Sequence, residues 1–243
     1  MNRYYRNMAR RRFFVDEVHN HRAELNGEEA RHLSHVLRVE AGQKYEISDN
    51  TNVYLAEVET ARKERIVFHT LEKLPFSEPL VHVSLLAALI KFDHFEMILE
   101  KATELGVSVI IPVEATRSER GLERAVEKRL VRWRRIVLES SQQSRRARLP
   151  EVCSPIVFSA AMRQESAARL FLDEERTGLP ILTALSHKPA TVSLLVGPEG
   201  GWTDSERAAA IAAEWTSASL GPQILRAETA AIAALAILNA AFY

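Results

Sequence analysis

The stretch LLVGPEGGWTDSE, from Leu194 to Glu206, decides the fold class of the C-terminal part of the chain. An apolar run ends there in a glycine-rich turn, and Thr203 or Asp204 then stands where a helix N-cap is expected. Glu206 is placed as the partner of a capping box. The pattern therefore predicts a strand, a tight loop and a helix, which is the repeating unit of α/β proteins.

The same order of elements continues through the chain from residue 81. The apolar runs VHVSLLAALI, SVIIPVEA and RLFLDEE alternate with helical patterns, and ETAAIAALAILNAAFY is the last helix. This alternation predicts a doubly wound α/β domain with a mainly parallel sheet. Residues 13–73 instead show short strands interrupted by one helix, NGEEARHLSHVLRVEAG, which predicts a small barrel or sandwich.

The expected domain limits follow from this change of pattern. Residues 1–73 form the small β-domain, residues 74–80 a proline-containing linker, and residues 81–243 the α/β domain.

Composition excludes several classes of protein. Cys153 is the single cysteine among 243 residues, so an internal disulfide and a cysteine-based zinc site are both excluded. The eight histidines have no carboxylate partner at a ligand spacing, and we expect no metal site. No run approaches the roughly 20 apolar residues of a membrane span. We therefore expect a cytoplasmic protein without a membrane partner or a secretion signal.

Charge is balanced overall but not along the chain. The formal net charge is zero, yet the segment from Arg117 to Arg148 carries eleven Lys/Arg against four Asp/Glu, a net of +7. The start of the chain, RNMARRRFF, is also basic. Such asymmetry is compatible with nucleic-acid binding, and it is equally compatible with a solvated helix face.

Two loops with a Gly-Pro pair follow predicted strands: GPEGG at 197–201 and LGPQILRAET at 220–229. Ligands of parallel sheets bind beyond the carboxyl ends of the strands, where both loops fall. Either loop alone would be an ordinary turn, but two in consecutive units favour a shared ligand crevice. Neither loop matches a P-loop or a dinucleotide fingerprint. This favours a phosphate-poor ligand that contains adenosine, with Ile224 and Leu225 available to pack on its rings.

Together these loops resemble the paired signature of the SPOUT methyltransferases and, more closely, of the RsmE family. Three further stretches carry the resemblance: KFDHFEMILEKATELGVSVIIPVEATRSER, RWRRIVLESSQQSRRARLPEV and HLSHVLRVEAG. It spans nearly the whole chain. It implies a PUA-like RNA-binding β-barrel, followed by a SPOUT α/β-knot domain with a trefoil knot. It also implies S-adenosylmethionine as donor, a homodimer, and methylation of N3 of uridine 1498 in 16S ribosomal RNA of the small ribosomal subunit.

The resemblance assigns the donor site to the two loops and the strand before the first. Its predicted members are Leu195, Gly197, Pro198, Glu199, Gly200, Gly201, Leu220, Gly221, Ile224, Leu225 and Arg226. A carboxylate such as that of Glu199 suits a sulfonium-bearing cation better than it suits a phosphate. Glu199 could equally cap or brace the loop.

Methylation of uridine N3 needs a way to remove the N3 proton, because the protonated nitrogen is a poor nucleophile. A base, or a cation that stabilises the uridine anion, meets this need. Arg226 and Glu228 are the predicted catalytic residues: the arginine for the anion or a phosphate, the glutamate to orient that arginine or to accept the proton. The alternative for Glu228 is that acids favour the first turn of a helix.

Basic residues of both domains are candidates for RNA contacts, and each could instead be an ordinary surface or ion-pair residue. They are Arg11, Arg12, Arg38, Lys91, Arg117, Arg132, Arg135, Arg145 and Arg146. Arg145 stands where the family usually has a glycine. The start of the chain is longer than the usual opening of the family, which we match to Arg12, with Arg11 as the rival position.

Two other functions remain open from the sequence. A different SPOUT enzyme would methylate another ribosomal position, a ribose 2′-hydroxyl or a transfer RNA, and a non-catalytic RNA-binding protein would have lost the donor site. The motif ELGV…IIP…RS and the N-terminal position of the barrel favour the base-methylating enzyme. The intact glycine loops argue against loss of the donor site.

Overall fold

The structure is a computed structural model that describes residues 11–35, 37–119, 121–175, 178–185 and 188–242. The chain divides into two compact units, Met1–Glu78 with Ser141–Leu149, and Pro79–Ser140 with Pro150–Tyr243. The domain limits given above remain predictions. The packing adds that residues 141–149 belong with the N-terminal unit.

The N-terminal unit is built on a five-stranded sheet in the order β1-β3-β4-β5-β2, in which only the β1–β3 pair is parallel. Its elements are β1 (Arg12–Phe14), β2 (Arg22–Asn26), α1 (Gly27–His35), β3 (Lys44–Ser48), β4 (Val53–Arg62) and β5 (Arg65–Leu74). The predicted small β-domain with one helix is confirmed. The helix ends earlier than its sequence pattern suggested, and the chain turns through Arg38, whose φ is +50°.

One face of this sheet forms the core of the unit. Phe13, Ile47 and Phe68 are fully buried there, and the rings of Phe13 and Tyr45 lie 5.0 Å apart. Strand β2 alternates between buried and exposed residues, as expected for a sheet with one apolar face.

A buried carboxylate ties residues 141–149 to strand β3. Glu46 is 2% exposed, and its Oε2 accepts hydrogen bonds from Arg12 Nε at 3.0 Å and Nη2 at 2.7 Å. Arg145 also pairs with Glu46, and its carbonyl oxygen accepts from Arg12 Nη1 at 2.8 Å. A buried carboxylate is stable only when it is paired, and two arginines pair this one. Arg12 and Arg145 therefore hold the unit together.

Arg145 adopts a backbone conformation that favours glycine. Its φ is +57°, in the left-handed region that costs a residue with a Cβ about 1–2 kcal/mol. This explains why a glycine suits the position in the family. In this chain the side chain of Arg145 pairs with Glu46 instead.

We expect Glu46→Ala to lower the free energy of unfolding of the N-terminal unit by about 3–5 kcal/mol, because it leaves the buried guanidinium of Arg12 without its carboxylate. Glu59→Ala is the control, because Glu59 on β4 is the exposed ion-pair partner of Arg22. It should lower the free energy of unfolding by at most about 1 kcal/mol. Urea unfolding followed by circular dichroism measures both. Equal costs would contradict the structural role of Glu46.

The C-terminal unit contains a parallel sheet flanked by helices. Its elements are β6 (His82–Ala88), α2 (Phe92–Glu104), β7 (Val109–Glu114), α3 (Leu122–Gln143), β8 (Glu151–Val152), β9 (Ile156–Val157), α4 (Phe158–Ala161), β10 (Ala168–Leu172), β11 (Leu179–Pro180), α5 (Ile181–Ala184), β12 (Thr191–Val196), α6 (Asp204–Ala212), β13 (Thr216–Ser219) and α7 (Ala227–Phe242). The strand order is β11-β13-β10-β12-β6-β7-β8, and β9 also pairs with β7. Every pairing is parallel, which confirms the predicted α/β domain.

Both faces of the parallel sheet are covered, and this explains its continuous apolar runs. Leu194 of β12 points into a core with Phe95 and Trp133, whose rings stack at 4.5 Å. The next residue, Leu195, points into a second core with Trp202 on the opposite face. Strands buried on two faces lose the apolar–polar alternation of a one-sided sheet.

The strand order places the carboxyl ends of β13, β10 and β12 side by side, with β6 next to β12. Because parallel strands end at the same edge, the loops that follow them gather there. None of the described helices combines the length and apolarity needed to cross a membrane.

Candidate active site

A cavity of about 730 Å³ lies at this carboxyl edge and is lined by both glycine loops. All predicted donor-site residues except one line it: Gly197, Pro198, Glu199, Gly200, Gly201, Leu220, Gly221, Ile224, Leu225 and Arg226. Leu195 lies in the core beside Trp202 instead, because alternation along β12 points it to the face opposite to that of Val196, which lines the cavity. The predicted shared crevice is thus present.

The first loop requires glycine at two positions for different reasons. A Cβ on Gly197 would lie 2.9 Å from the indole of Trp202, which is fully buried and donates its N–H to the carbonyl of Leu172 at 2.8 Å. Gly201 has φ +68°, and its N–H donates to the carbonyl of Pro198 at 2.9 Å. The loop is therefore held close to the sheet by the ring beneath it.

Asp173 and Glu174 form part of the cavity wall, and the sequence analysis missed them. They follow β10 directly, so their place after an apolar strand was the available signal. Arg207 of α6 binds both carboxylates: its Nε lies 3.0 Å from Asp173 Oδ2 and its Nη2 lies 2.6 Å from Glu174 Oε1. The hydrogen bonds with Asp173 raise the pKa of Arg207, and the arginine offsets the charge of this wall.

The loop that follows β7 supports the glycine loop from outside. Arg117 donates from Nη1 to the carbonyls of Gly200 at 2.9 Å and Trp202 at 3.2 Å. The N–H of Thr116 donates to Glu206 Oε1 at 2.8 Å. In this structure Arg117, a predicted RNA contact, thus stabilises the loop.

The helix start predicted at Thr203 is confirmed. Thr203 is the N-cap of α6, and its side chain and that of Glu206 form the predicted capping box. Burial by itself raises the pKa of Glu206. However, hydrogen bonds from the backbone N–H groups of Thr116 and Thr203, and from the Thr203 hydroxyl, hold the pKa below its usual 4.5.

Three titratable side chains from separate segments meet at the cavity. Glu199 lines it, and its Oε1 lies 2.9 Å from Nδ1 of His94 in the first turn of α2. Glu228, in the first turn of α7, is 7% exposed, and its Oε2 has no hydrogen-bond partner within the described residues. One imidazole nitrogen of His94 and one carboxylate oxygen each of Glu199 and Glu228 lie within 4.8 Å of one another. Glu199 and Glu228 were predicted from the sequence, whereas His94 was not; it follows the end of β6 at the same sheet edge.

Lys91 and Arg226 add positive charge to the cavity. Both residues line it and are exposed, Lys91 at the N-cap of α2 and Arg226 immediately before α7. The cavity therefore presents cations and carboxylates side by side.

The other residues predicted to contact RNA differ in their ion pairs and in their burial. Arg132 donates to both oxygens of Glu96 at 2.7 Å, and Arg135 donates to Glu139 at 3.0 Å. Burial lowers the pKa of Arg146 to about 10, which still leaves it cationic at neutral pH. Arg11 is half-buried, and Arg38 is exposed. Their RNA contacts remain predictions.

Family models place the chain in a class of enzymes. The model described as "RNA methyltransferase domain" matches residues 77–239, and the model described as "RNA methyltransferase PUA domain" matches residues 25–71. The fold and the cavity at the sheet edge thus belong to an RNA methyltransferase. The predicted fold class, a SPOUT α/β-knot domain that follows a PUA-like barrel, is confirmed.

Individual relatives narrow the class. Ribosomal RNA small subunit methyltransferase E of a Synechocystis species is 36% identical over 86% of this chain and 70% of its own length. The protein of that name from Mycobacterium tuberculosis is 32% identical over 92% of this chain and 88% of its own length. A crystal structure of this methyltransferase from Neisseria gonorrhoeae, bound to S-adenosylmethionine, superposes with a TM-score of 0.87 at 30% identity, covering 96% of this chain and 98% of that one. The chain belongs to the ribosomal RNA small subunit methyltransferase E family, as its motifs predicted.

We expect Gly197→Ala to lower the free energy of unfolding by about 1–3 kcal/mol, because the new methyl group overlaps the buried indole of Trp202. In a Trp202→Phe background the same change should cost less, with a coupling of about 0.5–3 kcal/mol. Trp133→Phe, in the core on the opposite face, is the matched control. Urea unfolding of the three single variants and the two double variants tests this, and additivity in both backgrounds would contradict the contact.

Glu206→Gln should reduce the free energy of unfolding at neutral pH by about 1–3 kcal/mol, since it weakens the hydrogen bonds that the carboxylate accepts. A carboxylate whose pKa is depressed in the folded state stabilises the fold above its unfolded value and loses this effect as pH falls through the folded value. The deficit of the variant should therefore shrink below pH 4.5.

Glu214→Gln, which alters an exposed carboxylate of the same unit, is the control and should show at most a small, pH-independent deficit. Urea unfolding at several pH values, followed by tryptophan fluorescence, measures both variants. A deficit of Glu206→Gln that stays constant down to the acid limb would contradict the role of the ionised carboxylate.

Proposed function

We propose that this chain transfers the methyl group of S-adenosylmethionine to N3 of a uridine, position 1498, in 16S ribosomal RNA of the small ribosomal subunit. The observation that carries the proposal is the convergence of both glycine loops on one cavity in a member of this methyltransferase family. The relative from Neisseria gonorrhoeae, bound to S-adenosylmethionine, supports the choice of donor.

The cavity suits such a donor in size and chemistry. Its volume of about 730 Å³ falls within the range of about 300–1,000 Å³ that is usual for small-molecule sites. Ile224 is 80% exposed beside it, and Leu225 is its neighbour, so apolar surface is available for an adenine ring. Glu199 supplies a carboxylate for a cationic ligand. When bound, S-adenosylmethionine supplies an electrophilic methyl group.

Arg226 is the residue that we propose to stabilise the uridine anion. It lines the cavity, is exposed, and has no carboxylate partner within the described residues. A fixed guanidinium can stabilise charge that develops on the base in the transition state. Glu228 is buried and does not line the cavity. We propose that it contributes indirectly, as a carboxyl group close to Glu199 and His94, without touching the substrate.

The N-terminal PUA domain supports an RNA substrate, as do the basic residues named above. N3 lies on the pairing edge of uracil, so the target uridine must be unpaired or flipped out. We extend the proposal to a homodimer that works in the cytoplasm, as the family resemblance implies.

The direct test uses small ribosomal subunits from a strain that lacks this protein. With labelled S-adenosylmethionine they should accept one methyl group, on N3 of uridine 1498. Label on a ribose, on a transfer RNA or on another uridine would contradict the proposal.

Arg226→Ala should lower the single-turnover rate of methyl transfer by about 10²–10³-fold, because it removes one stabiliser of the anion. Arg163→Ala is the matched control, since Arg163 is an exposed arginine that does not line the cavity and donates to the carbonyl of Ser159. The control should keep the wild-type rate. An unchanged rate in Arg226→Ala would exclude the assigned role.

A further inference from the structure

We propose that His94 is the base that accepts the N3 proton, with Glu199 as the residue that positions it. This inference rests on the proposed function and names the proton acceptor in that same site. It starts from the meeting of His94, Glu199 and Glu228, which lie in the first turn of α2, the loop after β12 and the first turn of α7.

The contact between His94 and Glu199 selects a tautomer. Glu199 Oε1 lies 2.9 Å from His94 Nδ1, and an ionised carboxylate can only accept a hydrogen bond. Nδ1 must therefore carry the proton, which leaves the lone pair of Nε2 free to accept another. Nε2 lies 3.8 Å from Oδ2 of the exposed Asp93, which is beyond hydrogen-bond distance. The arrangement matches that of a base oriented by a carboxylate.

Glu228 is the third side chain that lies close to this pair. Its Oε2 is buried and has no hydrogen-bond partner in the described part of the chain. One of its carboxylate oxygens lies within 4.8 Å of an imidazole nitrogen of His94 and a carboxylate oxygen of Glu199. A buried carboxylate oxygen without a partner is costly, and a positive charge nearby reduces that cost. When the N3 proton moves to His94, the positive charge on the imidazole lies close to two carboxyl groups.

His94 is also the residue placed to reach a substrate. It lines the cavity, whereas Glu228 is buried behind the wall. Lys91 and Arg226 line the cavity too, but an ammonium and a guanidinium only donate hydrogen bonds.

The carboxylates that line the cavity are already engaged. Asp173 and Glu174 pair with Arg207. Glu199 pairs with His94 Nδ1. The imidazole is therefore the group that faces the cavity with a free acceptor atom, Nε2.

The proton and electron balance of the step is complete. The N3 proton moves to His94 Nε2, and the electron pair of the broken N–H bond stays on N3. That pair forms the new N–C bond with the methyl carbon, while the electrons of the broken C–S bond remain on sulfur, which becomes a neutral thioether. The imidazolium then returns its proton to solvent.

The first test observes the tautomer without any turnover. Long-range ¹H–¹⁵N spectra of the full chain, with His94 assigned by the loss of its signals in His94→Gln, should show the proton on Nδ1. Glu199→Gln should shift the population toward the Nε2–H tautomer. A wild-type His94 protonated on Nε2 would overturn the inference.

The second test separates a base from a structural residue. His94→Gln should lower the single-turnover rate about 10²–10⁴-fold while its S-adenosylmethionine affinity, measured by calorimetry, stays within about threefold of wild type. His82→Gln, at the opposite end of β6, is the control and should keep the wild-type rate. Loss of donor binding in parallel with the rate would overturn the proposal, because His94 would then serve the donor.

Reconstituted subunits that contain 5-fluorouridine provide the sharpest comparison. Fluorine makes the N3 proton more acidic, so the need for a base falls, and the deficit of His94→Gln should shrink by about tenfold or more. An equal deficit on both substrates would overturn the proposal in favour of a structural role. So would a wild-type reaction that a chelator stops and a divalent cation restores.

These outcomes are distinguishable from failure of the proposed function. If wild-type protein leaves uridine 1498 unmethylated, the proposed function fails. If wild-type protein and His94→Gln methylate it equally well, only the assignment of His94 fails.

Discussion

The hydrogen bond from the Trp202 indole to the carbonyl of Leu172, 2.8 Å long, is the interaction on which the rest of the site depends. It joins the segment after β12 to the last residue of β10. The indole then packs against Gly197, so that any side chain at position 197 would overlap the ring. The glycine loop is consequently fixed against the sheet, with its backbone and Glu199 facing the cavity.

The cavity follows from this constraint together with the strand order. Because β12 and β13 both flank β10 in a parallel sheet, the loops that follow these strands lie at the same edge and line one cavity. Arg117 and Arg207 then donate hydrogen bonds to the carbonyls of Gly200 and Trp202, respectively. Glu206 accepts from the N–H groups of Thr116 and Thr203 and so joins the loop after β7 to the start of α6. Most charged groups near the loop are therefore engaged in holding it, and His94, Glu199, Arg226 and Lys91 are left facing the cavity.

Local patterns were sufficient to predict much of this fold. Periodicity indicated the buried strands of the parallel sheet, and the Thr203–Glu206 spacing predicted the start of α6, since each depends on residues close in sequence. The pairing of two glycine loops predicted the shared cavity. The family motifs, rather than periodicity, led to the knotted SPOUT class.

Contacts between distant residues could not be predicted in the same way. Arg12 and Arg145 both pair with Glu46, although Arg145 is 99 residues away from it, and their contacts with RNA remain predictions. His94 lies 105 residues from Glu199, and no local pattern links them. Leu195 is an example closer in sequence. Its apolar surroundings predicted a strand, but the face of the sheet on which it lies depends on the neighbouring strands.

The central claim is that the cavity between the two glycine loops holds the methyl donor. A crystal structure of this chain with S-adenosylmethionine tests it most directly. We predict density for the donor between Gly197–Gly201 and Leu220–Arg226, with the methyl group open to the side that His94 and Arg226 share. A donor bound elsewhere, or a cavity that stays empty at saturating donor, would contradict the account.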